Sequence, residues 1–132
     1  LSRAIENALL DAKVSAEDID YISLDGLGVD LWDDAEVKAI KNVFGNRVKD
    51  IPVSCPKSMF GNLLGASGAV DLITTILAME NSLVPPIVNL DTPAQNGLNY
   101  IGKEAREHKI NKALIISRGR GGINAVLVVE KS

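Results

Sequence analysis

The sequence predicts a layered α/β domain: a mixed sheet with helices on its faces and one helix buried in the middle. Three observations carry this. Short apolar runs of strand length alternate with longer segments of helical period. Segment 63–81 is apolar almost throughout, as a helix enclosed on most sides would be. Two further runs, 113–117 and 125–129, are continuously apolar, as central strands covered on both faces are. A short glycine-rich turn joins them, so they pair antiparallel as a hairpin.

The elements follow in order. Residues 1–12 read as a helix, with Leu1, Ile5, Ala8 and Leu9 on one face. No capping residue precedes them, and the chain opens with Leu1 and not Met. The reading is that the chain starts inside an element of a longer protein. Ser15 is placed to cap a short turn. Strand 20–24 comes next. Helix 33–44 turns Ala35, Val37, Ile40, Val43 and Phe44 inward, and Gly45 is a fitting stop. Strand 51–54 is short, and Pro56 breaks regular pairing after it. Pro85-Pro86 ends the apolar helix 63–81. Residues 87–90 and 98–101 are candidate edge strands around the loop 91–97.

Composition narrows the function classes. The 132 residues are the size of one domain, and 46% of them are hydrophobic. The net charge is −3 and no basic run stands out, which argues against a nucleic-acid partner. Ser, Thr, Gly and Asp71 interrupt the longest apolar segment, so a core helix is expected there and no membrane span. The single cysteine, Cys55, excludes an internal disulfide and fits a reducing, cytoplasmic setting.

Three stretches carry the chemistry. Asp25 ends the run Tyr21-Ile22-Ser23-Leu24 and opens Asp25-Gly26-Leu27-Gly28-Val29, with Asp33 and Glu36 following. The second is Lys57-Ser58-Met59-Phe60-Gly61-Asn62, followed by Gly65, Gly68 and Asp71. The third is Arg118-Gly119-Arg120-Gly121-Gly122-Ile123-Asn124. In this order and spacing they resemble the C-terminal half of a β-ketoacyl synthase of the thiolase fold. That family has His-Gly-Thr-x-Thr in the first motif; here Gly26 and Asp33 match, and Asp25 stands where the His would be. In the second, Lys57, Gly61, Gly65, Gly68 and Asp71 match, and Asn62 replaces a second His. In the third, Arg118 and Arg120 take the places of Phe, while Gly119, Gly121, Gly122 and Asn124 remain. An acid before Gly in the first motif, together with Arg-Gly-Arg in the third, resembles the chain-length factors of type II polyketide synthases.

The resemblance implies one domain over residues 1–132, with the N-terminal half of the fold absent. It implies no condensing activity for this chain alone, and so no catalytic residues here. A condensing enzyme needs a thiolate to carry the acyl chain and two imidazoles to stabilise the enolate and oxyanion. The family's nucleophilic cysteine belongs to the missing half. Cys55 lies elsewhere and reads as a buried structural thiol. Asp25 would repel an oxyanion, and Asn62 cannot shuttle a proton. His108, the only histidine, reads as a solvated loop residue.

The family places the three motif loops around one pocket, so Asp25, Lys57, Asn62, Asp71, Arg118 and Arg120 are expected to meet there. Lys57 is expected to pair with Asp71, and Asp25 with Arg120 or else Arg118. The other reading leaves both arginines to solvent or a partner subunit. The acidic run Asp30, Asp33, Asp34 and Glu36 reads as helix-dipole complementation and no metal site. The glycine run reads as a hairpin turn needing positive φ and no phosphate loop. No cofactor is expected. The implied partners are the missing N-terminal half, an active ketosynthase and an acyl carrier protein. Alternatives are a synthase, acyltransferase or decarboxylase using unusual residues, and a structural, self-associating relic.

Overall fold

The computed structural model describes all 132 residues except the side chain of Arg120. Helix α1 is Ser2–Ala12, β1 is Tyr21–Ser23, α2 is Asp30–Phe44 and β2 is Pro52–Ser54. A short helix α3, Lys57–Phe60, precedes α4, Ser67–Asn81. Five more strands follow: β3 Leu83–Val84, β4 Asn99–Tyr100, β5 Arg106–Glu107, β6 Lys112–Arg118 and β7 Asn124–Glu130.

The main sheet has the order β4-β2-β1-β6-β7. β1, β2, β4 and β6 are parallel, and β7 returns antiparallel on β6 from Lys112↔Glu130 to Arg118↔Asn124. The sheet is therefore mixed, as the apolar runs and the glycine turn required. α1 and α2 cover one face around Ile5, Leu9, Ile40, Phe44, Leu114 and Ile116. α4 covers the other, where Ala78 and Met79 meet Tyr21, Ile110 and Ala113.

Several expectations needed correction. α2 begins at Asp30, three residues early, because Val29 is already extended and starts the first turn. Ala35 is exposed and Glu36 takes the inward position. The stretch 63–81 is not one helix. A 3-10 turn, Leu64–Ala66, precedes α4, because the Ser67 hydroxyl accepts from Leu63 N at 3.0 Å and fixes a tight entry. Nor is α4 enclosed on most sides, since Ile73 is 57% exposed and Leu77 52%. The helix stops at Ser82, which takes the left-handed conformation at φ 52, before Pro85-Pro86 is reached. Residues 87–90 form no strand, while Asn99–Tyr100 pairs with β2. A small antiparallel sheet of β3 and β5 had no clear signal in the sequence. β7 is an edge strand with alternating burial and is not covered on both faces.

Candidate functional site

β1, β2 and β6 lie side by side and parallel, so their C-terminal ends share one edge of the sheet. Each is followed directly by one of the three motifs. Together the motifs line a cleft of about 1000 Å³ that includes Asp25, Lys57, Asn62, Ser67, Arg118 and Gly121. The sheet extends from β1 to β2 and β4 on one side and to β6 and β7 on the other. Open α/β sheets favour ligand sites at such a reversal, outside the carboxyl ends of the strands.

The first loop is held from behind. Asp25 N and Gly26 N donate to the two carboxylate oxygens of Glu36 at 2.8 and 3.0 Å, and Leu27 N donates to Asp33 Oδ1 at 3.0 Å. Asp33 and Glu36 therefore clamp the Asp25 loop, a use the helix-dipole reading missed. Burial pushes the Glu36 carboxyl up to about 7, against the lowering effect of its two backbone donors. Gly26 sits at φ +50, and a Cβ there would overlap Cys55 Sγ. Cys55 is half-buried, and burial raises its pKa to about 11, so it stays a thiol and packs.

Lys57 ties two motifs and the helix together. Its Nζ lies 2.9 Å from Asp71 Oδ2 and 3.1 Å from Asp25 Oδ1, and all three side chains are buried. The expected Lys57–Asp71 pair is present. Burial alone would lower the Lys57 pKa, but the bond to Asp71 and the charges of both carboxylates outweigh it and raise it. Burial raises that of Asp71, with Lys57 acting against it. Asp25 Oδ2 and Asp71 Oδ1 keep no hydrogen-bond partner among the described residues.

Asn62 shapes the second loop. Its Oδ1 accepts from Leu64 N at 2.9 Å and from the Ser67 hydroxyl at 3.1 Å. Arg118 does not pair with Asp25. Its Nη1 donates to Trp32 O at 2.7 Å, and the guanidinium stacks 5.2 Å from the Trp32 ring centroid. Lys57 has taken the carboxylate, and the indole holds the arginine away from it. The side chain of the first-named partner, Arg120, lies outside the described residues. The glycine turn behaves as expected, with Gly121 and Gly122 at φ 76 and 83. His108 is half-buried and not free in a loop. Its Nε2 is 3.1 Å from Asp20 O, at the opposite end of β1 from the cleft. Among the described residues no group of three or more His, Cys, Asp or Glu is placed to hold a metal.

A family described as the C-terminal domain of beta-ketoacyl synthase matches residues 1–91. The chain belongs to the β-ketoacyl synthase family. Among its curated relatives is the tetracenomycin polyketide synthase ketoacyl synthase beta subunit of Streptomyces glaucescens, 38% identical over 131 residues. That match covers 98% of this chain and 32% of the relative. A 3-oxoacyl-[acyl-carrier-protein] synthase 2 of Coxiella burnetii is also 38% identical, over 128 residues, 96% of this chain and 31% of that protein. One solved structure is a type II PKS acyl-carrier protein in complex with its ketosynthase bound to the hexaketide. It matches with a TM-score of 0.94 at 35% identity, over 99% of this chain and 32% of that one. The ishigamide ketosynthase/chain length factor matches with 0.93 at 32% identity, over the same shares. The ketosynthase-like chain thus has the thiolase-like fold and spans about a third of the length of its relatives.

Sequence reasoning missed Trp32 and Ser67 and undervalued Glu36. Glu36 was within reach: it precedes Ala39 and Ile40 by three and four residues, on the apolar stripe of α2. Nothing in the spacing announces that Trp32 would meet Arg118, 86 residues away.

Proposed function

We propose that this chain is the C-terminal part of a chain-length-factor-type subunit that does not itself condense. One observation carries the reading. At the floor of the cleft Asp25 is locked to Lys57 at 3.1 Å, and no imidazole lines the cleft among the described residues. A condensing site needs preorganised donors aimed at developing negative charge. A carboxylate there is an acceptor of the wrong sign, and Asn62 spends its carbonyl on holding a turn. On this reading Asp25 and Asn62 are degenerate catalytic positions. Lys57, Asp71 and Arg118, with Arg120, are structural members of the pocket. The subunit is cytoplasmic and needs no cofactor. It pairs with an active ketosynthase and meets its carrier protein through that complex. The kinship with a ketosynthase beta subunit and a ketosynthase/chain length factor supports this.

The remainder of the subunit is its first partner. α4 leaves Ile73, Ile76 and Leu77 exposed. On the same side of the sheet Leu127 is exposed too, being paired with Ile115, which alternates with the inward Leu114 and Ile116. An apolar face of this kind is an association surface.

A second reading, an active synthase, draws on the equal likeness to 3-oxoacyl-[acyl-carrier-protein] synthase 2. Co-purification of the intact subunit with an intact Cys-His-His ketosynthase encoded beside it tests the first reading. With carrier-bound malonate and an acyl donor, only the complex should yield condensation product. Turnover by the intact subunit alone would favour the second reading. The 132-residue chain alone should give none, and Asp25→His with Asn62→His should not restore it, because neither supplies a nucleophile.

A further inference from the structure

A second cleft of about 530 Å³ lies behind the Trp32–Arg118 stack, between α1, α2 and the glycine turn. It is on the α1–α2 side of the sheet and not on the exposed α4 face. Its polar side chains include Lys38, Asn42, Arg118 and Asn124. No carboxylate lines it among the described residues, in a chain carrying 17 Asp and Glu. The motif cleft, by contrast, contains Asp25.

Arg118 is underused. A guanidinium has five N–H donors. Among the described residues only Nη1 has a partner, the Trp32 carbonyl, and Nε is buried with none. No carboxylate lies within ion-pair distance of it among those residues, and nearby Glu36 spends both oxygens on Asp25 N and Gly26 N. A partly buried, unpaired guanidinium is costly, and an orphaned donor calls for a partner. Lys38 adds a second cation on the rim, and the indole face fixes the arginine's plane.

We propose that this cleft is a binding site for a small phosphate-class anion, held by Arg118 and Lys38 beside the Trp32 ring. Two cations with no lining carboxylate match a dianion better than a single negative charge. The flat fork of arginine suits the oxygens of a phosphate. The motif cleft is the poorer seat, because its Lys57 is engaged by Asp25 and Asp71, whereas Lys38 lines only this cleft. The inference is independent of whether the chain is a chain-length factor.

Trp32 is the only tryptophan of the chain and lines both clefts, so its emission reports binding at either, and Lys38, which lines only the second, assigns the signal to it. Inorganic phosphate is titrated into the 132-residue chain at constant ionic strength, with acetate as a parallel arm and equilibrium dialysis as a second readout. A saturable change with phosphate, tighter than with acetate, is expected. Lys38→Ala, at an exposed position where folding is not at risk, should weaken it by about fivefold, the scale of a half-exposed ion pair. Arg118→Gln should abolish it, and Lys49→Ala, on the surface outside the cleft, should leave it within about twofold. Absence of a saturable response together with no phosphate retained on dialysis would overturn the proposal. So would equal affinity in Lys38→Ala, or tighter binding of acetate than of phosphate.

Discussion

Lys57 balances two buried carboxylates with one charge, and this decides how the residue can fail. Removing it strands both Asp25 and Asp71, whose side chains are buried. Lys57→Met should therefore cost about 3–5 kcal/mol, the range for breaking a buried pair from one side. Lys57→Met combined with Asp25→Asn and Asp71→Asn should cost clearly less, because no uncompensated charge is left. Urea unfolding of the set measures both, and additive losses would mean that the three groups do not act as a unit. Glu36 gives a second test, by pH. Its folded pKa of about 7 stands above its ordinary 4.5, so the folded state holds the proton more tightly than the unfolded one. Stability from this group is fully present below pH 4.5 and is lost as pH rises through 7. At about 1.4 kcal/mol per pKa unit the swing is on the order of 3 kcal/mol. Glu36→Gln keeps an acceptor for Asp25 N but cannot titrate. Its unfolding free energy should be flatter between pH 5 and 8 than that of the parent chain, and parallel profiles would show that Glu36 does not titrate in this window.

Between residues and fold, the loops after β1, β2 and β6 matter more than the strands, and Gly26 is where two of them touch. Its φ of +50 and the closeness of Cys55 leave no room for a Cβ. Gly26→Ala should destabilise by about 2–3 kcal/mol, from a left-handed non-glycine residue plus the overlap. In a Cys55→Ala background the Sγ overlap is gone, leaving a tight 3.3 Å approach to the Cβ of residue 55, and the same change should cost about 1–2 kcal/mol. Thermal melts of the four chains check this, and an equal cost in both backgrounds would remove the thiol from the account. Such loops were legible because their chemistry is local. Gly121 and Gly122 announce a turn, and the alternation of apolar runs announces β1, β2, β6 and β7. The small β3–β5 sheet was not legible, because two-residue strands carry no period. The Lys57–Asp71 pair was expected from the family resemblance of the second motif. That Lys57 also reaches Asp25 was not legible, because which cation reaches a carboxylate depends on tertiary geometry; of the two expected arginines only the lesser alternative, Arg118, is ruled out, and the Arg120 side chain lies outside the described residues. Lys57 was already committed to Asp71, yet an ammonium with three donors serves both acids.

At the scale of the molecule the unusual feature is α4, a helix apolar enough for a protein interior and covered here on one side only. Ile73, Ile76 and Leu77 on its outer stripe and Leu127 on β7 face outward, although their residue types belong in a core. The sequence could not distinguish a helix buried by its own chain from one buried by something else, since periodicity reports apolarity and not the identity of the cover. The exposed face predicts that the chain self-associates as its concentration rises, with a sedimentation coefficient that increases accordingly. The same face should be silenced by Leu77→Lys with Leu127→Lys. Both side chains are about half exposed in the monomer, so folding does not depend on them, and each change should alter stability by less than about 1 kcal/mol. Self-association should then fall sharply while the far-ultraviolet spectrum is unchanged. Two results would count against this: a parent chain that stays monomeric at high concentration, or a doubly substituted chain that associates as strongly as the parent. The second would move the association surface elsewhere, to the unpaired edge of β7 or the rim around Leu64 and Ile123, and α4 would then be a helix that tolerates water.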